Sequence, residues 1–249
     1  MSDLLILAAA AFAAGLLNAV AGGGTFITFP ALAFLGVPVI SANATASFSA
    51  LPGYVGSAWA FRRDIRAEGS LALRWVSAVA VLGSIAGAAL LIVTPGRVFA
   101  GIVPFLLALA TLLFALGPKL MLMVQRRGLG NAGPALSAAA IFAVSLYGGY
   151  FNGGLGIMLL ATFGLLGFTN LHGMNGLKNV LSAIVTAVSV ATFVAAGLIA
   201  WEYALVMAAA CALGGFAGGW ATRRITRTDL LRHFITAVGA AMTVAFFLV

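Results

Sequence analysis

The chain has 249 residues, of which 63% are hydrophobic and 7% charged, and its mean hydropathy is +1.16. This composition lies far outside the range of soluble domains and indicates an integral membrane protein. The formal net charge of +8 comes mainly from basic residues in short stretches, as in membrane proteins with positive cytoplasmic loops, so it does not indicate a nucleic-acid partner.

Ten apolar segments follow one another along the chain, separated by charges, prolines and glycines. They are continuous and lack the alternation of lipid-facing strands, so the predicted fold is an all-α integral membrane protein. We predict segments at 4–20, 25–36, 44–61, 75–93, 98–118, 134–151, 155–167, 175–198, 203–221 and 233–249. The second and seventh reach only about 18–20 Å, which is too short for hydrocarbon about 30 Å thick.

Each short segment follows a glycine break, "AGGGT" at 21–25 or "NGGLG" at 152–156. Backbone that leaves helical geometry at membrane depth is tolerated only where protein buries it or where it lines a wet cavity. Each break also creates a helix N-terminus, near residues 25 and 155, whose N–H groups attract an anion. The breaks therefore predict one central anion site. Whether the broken segments cross fully or re-enter as hairpins stays open.

An internal repeat accompanies the two breaks. The motif "LGSIAGA" at 82–88 recurs as "LGGFAGG" 131 residues later, at 213–219. Its glycines predict close helix packing. Each repeat then holds five segments, and the odd number inverts the second repeat relative to the first. We predict repeat one at 1–118, a cytoplasmic linker at 119–133 and an inverted repeat two at 134–249.

The charged loops support the inversion. In repeat one the loop after the third segment, 62–74, is basic, whereas in repeat two it is the loop after the fourth, 222–232. Equivalent loops then lie on opposite faces of the membrane. Because basic loops remain in the cytoplasm, both termini are predicted to lie outside.

The ionisable residues favour an anion as the ligand. All five acids map to segment ends or loops: Asp3, Asp64, Glu68, Glu202 and Asp229. The usual intramembrane ligand for a cation or carrier for a proton is therefore absent at depth. Lys178, in "HGMNGLKNVLSA", is either a counter-charge for an anion or a lysine that snorkels to the cytoplasmic boundary, and the sequence leaves both open.

Polar residues are dense around the two breaks and the helix starts that follow them. Such groups are expected to face a cavity rather than lipid. The predicted substrate-binding residues are Asn18, Gly22, Gly23, Gly24, Thr25, Asn43, Thr45, Asn152, Gly153, Gly154, Gly156, Asn175, Lys178 and Asn179. For Asn43 and Asn175, helix capping is an equally open interpretation.

Motifs of enzymes are missing from the sequence. A serine–histidine enzyme needs both groups at depth, but His172 and His233 lie near segment ends and no G-x-S-x-G occurs. No H-E-x-x-H or other metal-ligand cluster occurs either. We expect no catalytic residues, no bound metal and no cofactor.

Two long stretches, "GLLNAVAGGGTFITFPALAFLGVP" and "GGYFNGGLGIMLLATFGLLGFTNLHGMNGLKNVLSA", resemble the sulfite exporter TauE/SafE family, the toluene-sulfonate uptake permeases. The resemblance spans almost the whole chain. It implies a multi-pass transporter of the bacterial cytoplasmic membrane for sulfite, sulfoacetate or other organosulfonates. By motif, the first hinge is Gly22, Gly23, Gly24 and Thr25, and the second is Gly153, Gly154 and Gly156. The second hinge departs from the family's triple glycine.

The leading functional hypothesis is a secondary transporter in which one repeat rocks against the other around the anion site. Export is the expected direction, and family membership alone leaves both import and export open. Its partners are a small sulfur-containing anion and the bilayer, with no nucleic acid. A homo-oligomer is neither required nor excluded. An anion channel on the same scaffold is the alternative, and an intramembrane enzyme is a remote one.

Overall fold

A computed structural model describes residues 2–20, 22–60, 62, 72–126, 133–166, 168, 170–222 and 228–248. Within these ranges the chain is helical and contains no strand, which confirms the all-α prediction. The helices are α1 (Ser2–Val20), α2 (Thr25–Phe34), α3 (Val39–Ala60), α4 (Leu73–Val93), α5 (Gly96–Arg126), α6 (Pro134–Tyr150), α7 (Leu155–Leu165), α8 (Leu171–Ala195), α9 (Trp201–Thr222) and α10 (Thr228–Leu248). Parts of the predicted cytoplasmic loops 62–74, 119–133 and 222–232 lie outside the described residues, namely 63–71, 127–132 and 223–227.

Several predicted boundaries differ from the structure, among them the end of α5 and the start of α8. Helix α5 continues past Pro118 to Arg126, so the first part of the predicted linker is helical. Helix α8 begins at Leu171 instead of 175, which puts His172 in its first turn rather than in a loop. The proline in α5 and the polar residues in α8 suggested helix ends in the sequence. A helix can contain such residues where they face protein or water, or where neighbouring groups satisfy its backbone.

Helices α2 and α7 are shorter than the other described helices. Four stretches are long and apolar enough to cross a membrane: Leu73–Val93, Gly96–Leu113, Gly173–Ala195 and Trp201–Gly219. By contrast, α2 has 10 residues and α7 has 11. These two helices are only about 15–17 Å long, so they are too short to cross the hydrocarbon, as predicted.

Glycines bring α1 against α9 and α4 against α6 at backbone distance. A Cβ on Gly87 would meet the carbonyl oxygen of Leu146, and one on Gly214 would meet that of Phe12. The predicted packing role of the two glycine motifs is thus confirmed. The interfaces leave no room for a ligand at these glycines.

The helices form two three-helix groups, each of which mixes both sequence halves. Helices α1, α3 and α9 form one, which we call bundle A, and α4, α6 and α8 form the other, bundle B. Helices α3 and α8 contact each other where the bundles meet, while α2 packs on bundle A and α7 on bundle B. Exchanging α1–α5 with α6–α10 reproduces the same pairings. The inverted orientation of the two halves stays a prediction.

Candidate functional site

The two helix breaks meet each other. We call residues 22–25 the first break and residues 151–156 the second break. A Cβ on Gly22 would lie 2.8 Å from the Cα of Gly156, and the converse distance is also 2.8 Å. The Thr25 hydroxyl donates to the carbonyl oxygen of Asn152 at 3.4 Å, so it links the breaks a second time. The predicted convergence of the glycine motifs is therefore present in the fold.

Left-handed backbone explains why these positions favour glycine. Gly22 has φ +84°, and Gly154, the residue before α7, has φ +74°. A side chain at such angles is strained, whereas glycine adopts them freely. Asn152, with φ +57°, is the non-glycine type that tolerates this region best.

Both short helices begin at the predicted places, at Thr25 and Leu155. Glycine precedes each, Gly24 before α2 and Gly154 before α7, so neither helix has a side-chain cap from its own N-cap residue. The Gly24 N–H donates instead to Oδ1 of Asn18, at 2.7 Å. At α7 the N–H groups of Leu155, Ile157 and Met158 donate to the carbonyl oxygens of Asn152 and Gly154, so those of Gly154 and Gly156 have no backbone acceptor among the described residues.

Lys178 is completely buried beside the breaks. Its Cδ lies 3.3 Å from where a Cβ on Gly156 would be, and its Nζ donates to the carbonyl oxygen of Asn18 at 3.4 Å. A snorkelling lysine keeps its ammonium near water, which this burial does not allow. The side chain is placed as a counter-charge would be, between α1, α7 and its own helix α8.

Several buried polar atoms at or next to the breaks and on α8 have no hydrogen-bond partner within the described part of the chain. They include Nδ2 of Asn18, both amide atoms of Asn179, the hydroxyl of Ser182 and Oδ1 of Asn152. All four residues are at most 1% exposed. Because buried polar groups in proteins are nearly always hydrogen-bonded, a group of unpartnered ones next to an ammonium indicates a place for a polar ligand.

Most of the predicted site residues are buried in this region, but three have other surroundings. The hydroxyl of Thr45 accepts the N–H of Ala200 at 2.9 Å, just before α9. Nδ2 of Asn43 donates to the Tyr150 carbonyl at 3.0 Å, where α6 ends at the second break. Asn175 is only half-buried. Asn43 thus supports the second break through a backbone carbonyl, whereas Thr45 binds the backbone that leads into α9.

The capping interpretation is wrong for both asparagines. Helix α3 begins at Val39, four residues before Asn43. Helix α8 is preceded by Asn170, whose Oδ1 accepts the N–H of Gly173 at 3.1 Å, as an N-cap does. Asn43 and Asn175 lie inside their helices because both helices begin earlier than predicted.

Two residues outside the predicted substrate-binding set support the second break. The Tyr147 hydroxyl donates to the Gly153 carbonyl at 2.6 Å, and the Thr186 hydroxyl accepts from Nδ2 of Asn152 at 3.2 Å. Thr186 could have been found from its spacing. Positions 175, 179, 182, 186 and 189 are all Asn, Ser or Thr at helical intervals of four and three, which is a polar stripe on one face of α8.

No cluster of metal-ligating side chains occurs among the residues that the structure describes. The donor set is instead one ammonium, amides, hydroxyls and backbone N–H groups. Such a set is suited to an oxyanion, whose oxygens accept several hydrogen bonds at once.

Comparisons with known proteins agree with a transporter. Residues 7–246 match the sequence model of the family described as "Sulfite exporter TauE/SafE". A "Probable membrane transporter protein" from Haemophilus influenzae is 31% identical over 243 residues, which covers 97% of this chain and 93% of that protein. "Probable membrane transporter protein ORF9" from Sinorhizobium sp is 33% identical over 178 residues, or 70% of this chain and 64% of the relative. "Probable membrane transporter protein YfcA" from Escherichia coli K12 is 29% identical over 94% of this chain and 85% of its own length.

Proposed function

The chain belongs to the sulfite exporter TauE/SafE family, and from this premise we propose that it exports a small sulfur-containing oxyanion such as sulfite, sulfoacetate or another organosulfonate. It is a multi-pass membrane transporter rather than an enzyme, and its relatives are bacterial membrane proteins. The observation that carries the choice of an anion is Lys178, completely buried against the two breaks.

The anion would bind between the α7 N-terminus and Lys178. The N–H groups of Gly154 and Gly156, which have no backbone acceptor among the described residues, supply donors with partial positive charge. Nδ2 of Asn18 and Asn179 and the hydroxyl of Ser182 supply neutral donors that have no protein partner. A sulfonate or sulfite group presents three oxygens, so it can accept from all these directions.

The helix packing supports different moving units for alternating access from the two sequence repeats. Because α1 packs on α9 and α4 on α6, the two sequence halves interlock and cannot rock as separate bodies. We propose that bundle A and bundle B move against each other, with the α3–α8 contact as the pivot and the breaks between them. The hydrogen bond from Thr25 to Asn152 crosses this boundary and would open in each cycle.

Transport of radiolabelled methanesulfonate into liposomes that contain the purified protein tests the proposal. A carrier gives saturable uptake and counterflow, in which internal unlabelled anion accelerates entry of the label. Absence of uptake for methanesulfonate, sulfite and sulfoacetate alike would refute the substrate class. Conductance far above carrier turnover, without counterflow, would favour the channel alternative.

Orientation follows from the basic loops and is tested separately. In a Cys211→Ala background, a cysteine at the exposed position Ala196 is expected to react with an impermeant maleimide from outside the cell. A cysteine at exposed Gly133 is expected to react only after permeabilisation. The opposite labelling pattern would overturn the predicted placement of both termini outside.

A further inference from the structure

Among the residues that the structure describes, no carboxylate lies on a helix that packs against α8, which carries Lys178. Helix α8 packs on α3, α4, α6 and α7, and α1 supplies the Asn18 contact. The titratable or charged residues of these helices are Asp3, Tyr54, Arg74, Tyr147 and Tyr150, with His172 on α8 itself. Asp3 lies 15 residues before Asn18, about 22 Å away along α1. No acid of these helices can therefore pair with the ammonium.

Within the described residues, Nζ of Lys178 makes a single hydrogen bond, which is too few to stabilise a buried ammonium. Its hydrogen bond to the carbonyl oxygen of Asn18, at 3.4 Å, is long and goes to a neutral group. A buried ion without a counter-ion is destabilised far more than a neutral amine in the same place. The ammonium form is thus stable in this site mainly when an anion lies beside it.

We propose that Lys178 couples the anion to a proton, so that each cycle carries one proton and one monovalent anion in the same direction. As the anion enters, the lone pair of Nζ takes a proton from water on the same side, and the neutral amine becomes an ammonium paired with the anion. On the far side the anion leaves and the proton returns to water. Empty and loaded sites both have zero net charge, so neither form moves charge across the membrane. This inference rests on the proposed function.

The experiment uses the full-length protein in liposomes that contain a fluorescent pH dye. Methanesulfonate is the probe because it remains ionised at every working pH and cannot carry the proton itself. With an inward methanesulfonate gradient, we expect the lumen to acidify in step with anion uptake. Valinomycin with equal potassium on both sides is expected to leave the uptake rate unchanged. Uptake without acidification that valinomycin accelerates would overturn the proposal, because it would mean that the lysine stays charged.

A matched variant separates binding of the anion from movement of the proton. Arginine in Lys178→Arg stays protonated, so it keeps the counter-charge but cannot release the proton. We expect this variant to retain exchange of labelled for unlabelled methanesulfonate while its acidifying net uptake falls to the level of protein-free liposomes. Net uptake with acidification at the parent rate in Lys178→Arg would refute the role of the lysine.

The two proposals fail in different ways. A parent protein that moves no sulfonate, either in net uptake or in exchange, refutes the proposed function, and the coupling with it. Saturable sulfonate flux without a proton refutes the coupling alone and leaves the anion carrier in place.

Discussion

The two breaks occupy corresponding places in the two halves of the chain, but different backbone groups are satisfied in each. At the first break a donor is satisfied, because the Gly24 N–H binds the side chain of Asn18 from the preceding helix. At the second break an acceptor is satisfied, because the Gly153 carbonyl receives the hydroxyl of Tyr147. At the α7 N-terminus the N–H groups of Leu155, Ile157 and Met158 donate to local carbonyl oxygens, which leaves those of Gly154 and Gly156 for an anion. Lys178 lies against this second break through Gly156. Near-symmetric helix packing thus encloses an asymmetric site.

The largest effect is expected from Gly156→Ala, which disrupts the contact between the breaks. The new Cβ would lie 2.8 Å from the Cα of Gly22, so the backbone must shift, and overpacking of this kind costs about 1–3 kcal/mol. We expect sulfonate uptake in liposomes to be lost. Gly101→Ala is the matched control, since a Cβ there meets nothing within 4 Å. Parent-like uptake by Gly156→Ala would show that the breaks need not touch.

Lys178→Gln removes the counter-charge while keeping a polar side chain. Loss of a charge-assisted hydrogen bond, worth about 1.5–3 kcal/mol, is expected to weaken sulfonate binding roughly 10- to 150-fold in calorimetry. Arg74→Gln is the control, because Arg74 is exposed in the first turn of α4 and its loss should leave the affinity unchanged. Equal affinity of Lys178→Gln and the parent would leave the helix N-termini to hold the charge alone.

Asn18→Ala and Tyr147→Phe compare the two breaks directly. Each removes one hydrogen bond to the backbone of a break, which is expected to cost about 0.5–2 kcal/mol of stability. Asn18→Ala also removes the unpartnered Nδ2, so it is expected to lower anion affinity, whereas Tyr147→Phe should not. Thermal unfolding with and without methanesulfonate separates the two effects. An equal loss of anion stabilisation in both variants would contradict the asymmetry.

The smallest effect is expected from Thr25→Val, which removes the hydrogen bond between the breaks. At 3.4 Å this bond is long, so its loss should change stability by only about 0.5 kcal/mol. Thr94→Val, which removes the exposed bond to the Leu90 carbonyl, is the control for loss of a threonine hydroxyl. A fall in anion affinity of more than about tenfold in Thr25→Val would instead place its hydroxyl on the anion.

Local features of the site could be predicted from the sequence because they depend on residues next to each other. Three glycines at 22–24 and the glycines around 154 cannot continue a membrane helix cheaply, and the new helices begin at Thr25 and Leu155, near the predicted residues 25 and 155. Lys178 stood out because a lysine inside an apolar segment is rare.

Contacts between distant residues could not be predicted in the same way. Asn43 binds the carbonyl of Tyr150 across 107 positions of sequence, and the Asn18 contact of Lys178 spans 160. The mixing of both sequence halves in each bundle could not be predicted either. A repeat indicates which helices correspond but not which ones pack together. Gly15 against the Cys211 carbonyl, for example, joins opposite halves of the chain.

Long-wavelength anomalous diffraction from crystals grown with methanesulfonate tests the location of the anion most directly. Sulfur scatters anomalously, and the seven methionines and Cys211 provide internal reference peaks. We predict one additional sulfur peak between the α7 N-terminus, Nζ of Lys178 and the amide of Asn18, and its loss in Lys178→Gln crystals. A peak elsewhere, or none while the reference sulfurs are clear, would contradict an anion site at the two breaks.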